Sequence, residues 1–124
     1  MEEVFNLPLL KSFGYAFEGL LYAIKHNRNL KIHLAVALVV ILASIFFHVT
    51  IFEKEILGVM ILLVILSEMI NTSIEEMVNL ITTEHRKEAK VAKDVAAGMI
   101  LIAAAGSVII GTFIFAPYIL KLFY

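Results

Sequence analysis

Two carboxylates and a carboxamide line up at helical spacing in the stretch Leu66-Ser67-Glu68-Met69-Ile70-Asn71-Thr72-Ser73-Ile74-Glu75-Glu76. At 100° per residue Glu68, Asn71 and Glu75 (i, i+3, i+7) fall on one narrow helix face, with Glu76 about a quarter-turn away. The stretch follows without a break on the apolar run Ile56 to Leu66. Carboxylates that deep in an apolar helix are costly, and the default reading is functional. Such a pair can ligate Mg²⁺ or accept a proton from a hydroxyl. Withdrawal from water makes a carboxylate a stronger base. The competing reading is a polar helix interface that fixes the register of an oligomer, and Glu76, off the stripe, suits that reading better.

What must position these groups is a membrane protein. Of 124 residues, 61% are hydrophobic, against roughly 45–50% in soluble domains. A net charge of −1 gives no support for a nucleic-acid partner. Cysteine is absent, which excludes disulfides and thiol chemistry. The acidic start Met1-Glu2-Glu3 is unlike a signal peptide, so no cleaved targeting segment is expected. One membrane domain accounts for the length. A bundle of three helices is too thin to enclose a roomy cavity by itself, so an oligomer is expected.

Residues 1–28 read as an amphipathic helix lying in the membrane interface: Phe5, Leu9, Phe13, Phe17, Leu20, Leu21 and Ile24 recur near a period of 3.6, interleaved with Lys11, Ser12, Glu18 and Lys25. Pro8 fits its first turn. Gly14 and Gly19 have phosphate-loop spacing, but Leu20-Leu21 stand where Lys-Ser/Thr is required. Three transmembrane helices follow, over about 30–50, 56–80 and 91–120, the last long enough to cross roughly 30 Å of hydrocarbon. A short turn, His48 to Glu55, joins the first two, and a polar loop, Thr82 to Lys90, joins the last two. Gly98, Ala104, Ala105, Gly106 and Gly111 give the third span small surfaces for close packing.

Lysine and arginine set the orientation. Lys11, Lys25, Arg28 and Lys31 precede the first span; Lys54 alone lies in the first loop; Arg86, Lys87, Lys90 and Lys93 follow in the second; Lys121 is terminal. This alternation places the N-terminus and the second loop in the cytoplasm and the C-terminus outside. The carboxylate stripe then sits in the cytoplasmic half of the second span, level with the basic flank of the first span and with Lys93-Asp94. Lys93 can meet a phosphate as a point charge. Together these groups suit phosphoryl transfer to an alcohol dissolved in the bilayer, where catalysis is mostly positioning and charge neutralisation. A small ion or proton carrier would also bury carboxylates, but needs no Lys93-Asp94 pair beside a basic loop. A structural or regulatory trimer without activity is the third reading.

The residues also match a known family. Glu68 to Glu75 resembles the E-x-x-N-[ST]-[AS]-I-E signature of the prokaryotic diacylglycerol kinases, which include the undecaprenol kinases. Ala89-Lys90-Val91-Ala92-Lys93-Asp94-Val95-Ala96-Ala97-Gly98 is similar to its A-K-x-A-K-D-x-A-A-G segment, and Asn29-Leu30-Lys31-Ile32-His33 to the N-x-R-I-H run that opens the first span. The likeness extends over about residues 12–110. It implies an all-α homotrimer of three-span subunits in the bacterial cell membrane, with active sites shared between neighbours and ATP-Mg²⁺ as phosphate donor. By position it implies Glu68 as catalytic base and Glu75 as metal carboxylate. Asn71, Asn29 and His33 fall on polar active-site or substrate positions. Tyr15, Glu84, His85, Arg86, Lys93 and Asp94 fall where ATP is approached.

Three positions depart from the pattern. Asn27 stands where the second metal carboxylate is usual; its amide oxygen can ligate Mg²⁺ but brings no charge. Asn79 replaces an Asp after the signature, and Pro8 stands where an Arg is expected. The opening of the first span and the A-A-G run look more like the undecaprenol kinases of Gram-positive-type bacteria, so undecaprenol is the expected acceptor, with diacylglycerol close behind.

Overall fold

A computed structural model describes the backbone of residues 2–124 and the side chains from Pro8 onward. Four helices follow one another: α1 (Glu2–His26), α2 (Arg28–Phe46), α3 (Ile51–Ile81) and α4 (Lys87–Phe123), with no strand among the described residues. The chain is an all-α membrane protein, and α2, α3 and α4 are each long and apolar enough to span a bilayer. At 1.5 Å per residue α2 measures about 28 Å, close to the roughly 30 Å of hydrocarbon, whereas α3 reaches about 46 Å. The polar end of α3 therefore overhangs the apolar layer.

The helix ends differ from those read in the sequence, each for a local reason. The α2–α3 connection is shorter than 48–55. Phe47 closes α2, His48 takes a left-handed φ of 52°, and Val49 N–H and His48 N–H return to Ser44 O (3.3 Å) and Ile45 O (3.2 Å). That is a Schellman closure with histidine in place of the usual glycine. Thr50 then starts α3 at once: its hydroxyl accepts from Glu53 N–H (3.1 Å), and the Glu53 carboxylate accepts from Thr50 N–H (3.0 Å). This reciprocal capping box makes Glu53 and Lys54 helical although they look like loop residues. Likewise α4 begins at Lys87, because its first two turns are charged and hide the start from hydropathy. Pro8 lies inside α1, not in its first turn.

Left-handed backbone costs a β-carbon-bearing residue about 1–2 kcal/mol, partly offset by the greater unfolded-state freedom of glycine. Replacing His48 with Gly should therefore stabilise the detergent-solubilised protein by about 0.5–1 kcal/mol, read as a raised thermal midpoint. An unchanged or lowered midpoint would mean that the imidazole makes a compensating contact.

Packing is spread along two faces. On α2, Leu30, Ala37 and Ser44 are buried, a seven-residue repeat; on α3, Leu57, Val64 and Asn71 repeat the same interval. The apolar core gathers at the α2–α3 turn, where Val49, Leu57 and Ile114 are covered by Phe47, Phe115 and Tyr118, and the Tyr118 hydroxyl donates to Glu53. Of the α4 glycines, only Gly106 has a neighbour within reach of an added β-carbon, Met60 Cε at 3.8 Å; Gly98 and Gly111 face open space among the described residues. Of these glycines, only Gly106 therefore packs against another helix of the same chain, against Met60 of α3. At the opposite end from the core, α3 turns polar, and α1 reaches it.

Candidate functional site

The helix break at Asn27 organises the site. Its backbone is extended (φ −107°, ψ 104°), which ends α1 and starts α2 at a single residue. Asn27 Oδ1 accepts from Leu30 N–H at 3.1 Å, the capping bond typical of Asn before a helix. Asn27 Nδ2 points across to α3, donating to Glu68 Oε2 at 3.1 Å and to Thr72 Oγ1 at 2.8 Å. Thr72 in turn donates its hydroxyl proton to Glu68 O at 3.0 Å, so its oxygen is free to accept.

Glu68 is 1% exposed, and with Leu30 it is the largest fully buried side chain. Its two oxygens differ. Oε2 is held by Asn27. His33 Nε2 lies 3.1 Å from Oε1, but the contact is not a well-formed hydrogen bond, and Oε1 has no hydrogen-bond donor among the described residues. A buried acceptor without a donor is costly and calls for an explanation. An incoming hydroxyl would supply one.

One turn further, buried Asn71 donates through Nδ2 to Glu75 Oε1 at 3.3 Å, and its Oδ1 has no partner. Glu75 is exposed. The stripe thus runs from a buried carboxylate to an exposed one along a single face. Glu76, off that face, accepts from the Tyr22 hydroxyl at 2.9 Å. That hydrogen bond, and then the carboxylate's charge, hold the Tyr22 phenol above its ordinary range.

The second cluster lies at the α3–α4 loop. Glu84, His85, Arg86, Lys90, Lys93 and Asp94 line an open cavity of about 540 Å³. Lys93 Nζ donates to Asn79 Oδ1 at 2.9 Å, while Lys90 pairs with Asp94. The neutral amide at 79 orients Lys93 without cancelling its charge. Tyr15 is 66% exposed on α1 and Asn29 is exposed in the first turn of α2; neither makes a side-chain hydrogen bond among the described residues. One chain therefore brings together Asn27, His33 and Glu68, places Asn71 with Glu75, and gathers residues 84–94 at the α3–α4 loop, where Lys93 reaches Asn79 one turn beyond Glu75.

A third feature connects to the first. An apolar groove of about 700 Å³ runs between α2, α3 and α4, walled by Val36, Val64, Val108 and Phe115 among others, and His33 lines it. Its other polar wall residues, Ser107 and Thr112, donate to Ala103 O and Val108 O of their own helix. The groove is therefore chemically plain except at the imidazole that touches Glu68.

Thr72 was not singled out as a functional residue in the sequence, although it lies four residues from Glu68 and so one turn away on the same side. The capping role of Asn27 also had a signal, an Asn directly before an apolar helical run.

Three bilayer-length helices thus hold a buried carboxylate next to an imidazole that lines an apolar groove, with a basic cavity at the α3–α4 loop. The chain belongs to the prokaryotic diacylglycerol kinase family, whose model matches residues 14–115. It is 38% identical over 115 residues to a diacylglycerol kinase of Synechocystis sp., covering 92% of this chain and 66% of that protein. It is also 38% identical over 107 residues to an undecaprenol kinase of Bacillus subtilis, covering 86% and 87%. The chain thus spans just under two thirds of the first relative's length.

Proposed function

We propose that this chain transfers the γ-phosphate of ATP to the hydroxyl of a membrane lipid alcohol, with undecaprenol as the favoured acceptor. The observation that carries the reading is Glu68 Oε1, buried, without a hydrogen-bond donor among the described residues, and 3.1 Å from His33, which lines the apolar groove. The lipid chain lies in the groove and its hydroxyl meets Oε1. Glu68 takes the hydroxyl proton as the lipid oxygen bonds to the γ-phosphorus and the bond from that phosphorus to ADP breaks. Lys93 and Arg86, in the loop cavity, neutralise phosphate charge.

Mg²⁺ is commonly held by one or two protein carboxylates and completed by phosphate and water. Among the described residues no three His, Asp or Glu side chains gather into a ready cage. Glu75, exposed and with Oε2 uncommitted, fits the smaller requirement. Bound there, the ion would neutralise charge on the transferred phosphate. Asn27 turns its one oxygen to the α2 backbone, so the metal is assigned here to Glu75 and the nucleotide.

Undecaprenol is favoured over diacylglycerol by the groove wall. A polyprenol carries no ester carbonyls, and the hydroxyls of Ser107 and Thr112 are already spent on their own helix. Diacylglycerol would bring two ester groups with few donors to meet them. The relatives named for either lipid are equally similar at 38%, so sequence identity does not decide between them. A homotrimer would let the residue 84–94 cavity of one subunit serve the stripe of its neighbour, a shared site. The N-terminus and the α3–α4 loop are assigned to the cytoplasm, which the distribution of Lys and Arg favours.

The test uses sealed vesicles of both orientations with labelled ATP, Mg²⁺ and either lipid. Label should enter undecaprenol faster than diacylglycerol, and only when ATP is on the side of the α3–α4 loop. Faster labelling of diacylglycerol would overturn the acceptor, transfer from the opposite side would overturn the orientation, and no lipid labelling would overturn the activity.

A further inference from the structure

Asn27 occupies a position where three demands meet, and its amide satisfies all three. Oδ1 caps α2 through Leu30 N–H, and the two Nδ2 protons serve Glu68 Oε2 and Thr72 Oγ1. The orientation of the amide follows from these partners. Turned over, it would set its oxygen against a carboxylate and its NH₂ against a backbone N–H, losing all three bonds. Thr72 is fixed by the same logic, since its proton goes to Glu68 O and only its lone pair can face Asn27.

We propose that Asn27, with Thr72, is a positioning residue for Glu68: it clamps Oε2 and thereby presents Oε1, without a donor of its own, to the acceptor hydroxyl. This deepens the kinase reading and rests on Glu68 being its base. The clamp links the α1–α2 break to α3 across 41 residues of sequence. It restrains a carboxylate that otherwise rotates freely about its last torsion. An acidic residue at 27 would face Glu68 with like charge and would need a cation between them; the amide makes the same approach with none. That is why an uncharged residue suffices here.

The variant that isolates the clamp is Asn27→Ser. Serine caps helices as well as asparagine does, but it is too short to reach Glu68 or Thr72. Turnover should fall roughly 10- to 100-fold, the scale of misplacing a reacting group by about 1 Å. The KM for ATP and the Mg²⁺ concentration for half-maximal rate should stay where they were. Asn27→Asp keeps the cap and reverses the polarity toward Glu68; turnover should fall at least as far, with no lower Mg²⁺ requirement. A second readout needs neither ATP nor metal. The infrared carboxylate band that disappears in Glu68→Gln should shift in Asn27→Ser, because one of its oxygens loses its donor.

Normal turnover in Asn27→Ser, or an unshifted band, overturns the clamp. So does an Asn27→Asp enzyme that works at lower Mg²⁺, which would put residue 27 in the metal shell. If the wild-type protein phosphorylates no lipid alcohol yet the band shifts, the kinase reading falls and the clamp on Glu68 stands.

Discussion

Glu68→Gln should lower turnover by about 10²–10⁴-fold, the usual consequence of losing a general base, while the KM for ATP barely changes. The geometry makes this substitution clean. Glutamine has the shape of glutamate, so its side-chain oxygen can still accept from Asn27 Nδ2, and its NH₂ then faces the His33 side where no donor stood. The number of unsatisfied buried groups does not rise, since an NH₂ without an acceptor stands where a carboxylate oxygen without a donor stood, and burying a neutral amide costs no more than burying a carboxylate. Thermal stability in detergent should therefore hold or rise. The loss of rate would then report the missing proton acceptor and nothing else. An active Glu68→Gln enzyme that unfolds more easily would reverse the assignment, making the stripe a packing device.

Much of this arrangement is written in local patterns. The three apolar runs give three membrane helices, because hydrocarbon thickness fixes the length of a span. The i, i+3, i+7 spacing puts Glu68, Asn71 and Glu75 on one face because a helix repeats every 3.6 residues. The ends of the helices are less legible, since hydropathy falls at charged residues whether or not the helix stops. Glu53 and Lys54 sit inside α3 because Thr50 caps it, and Lys87 to Lys93 form turns of α4 despite their charge.

The inner structure of the site is harder still. Nothing near Asn27 in sequence says that its amide will meet Glu68, 41 residues on, or Thr72, 45 residues on. Composition shows an amide where a carboxylate is usual and suggests a weakened metal ligand. The three-dimensional contacts show all of its polar atoms engaged with protein. The groove is illegible for the same reason, since it is the space left between α2, α3 and α4 and belongs to no one of them.

Glu75 carries the second large expectation. It shares the face of Glu68 but lies beyond the buried end of the stripe, where solvent and a nucleotide can reach it. Its Oε1 accepts from Asn71, and Oε2 makes no hydrogen bond among the described residues. Glu75→Gln keeps an oxygen for Asn71 and removes only the charge. Loss even of groups that support a metal's ligands costs roughly 10- to 100-fold in affinity, so loss of a ligand's charge should raise the KM for ATP-Mg²⁺ by at least about tenfold. Part of that loss should return at high Mg²⁺, where mass action replaces affinity. At saturation the proton acceptor is intact, so turnover should fall far less than in Glu68→Gln. The two carboxylates then separate kinetically, one in turnover and the other in metal-dependent binding. A Glu75→Gln enzyme with normal ATP-Mg²⁺ dependence but turnover as low as that of Glu68→Gln would mean that both carboxylates serve the proton. The metal would then have to be held by groups outside the stripe.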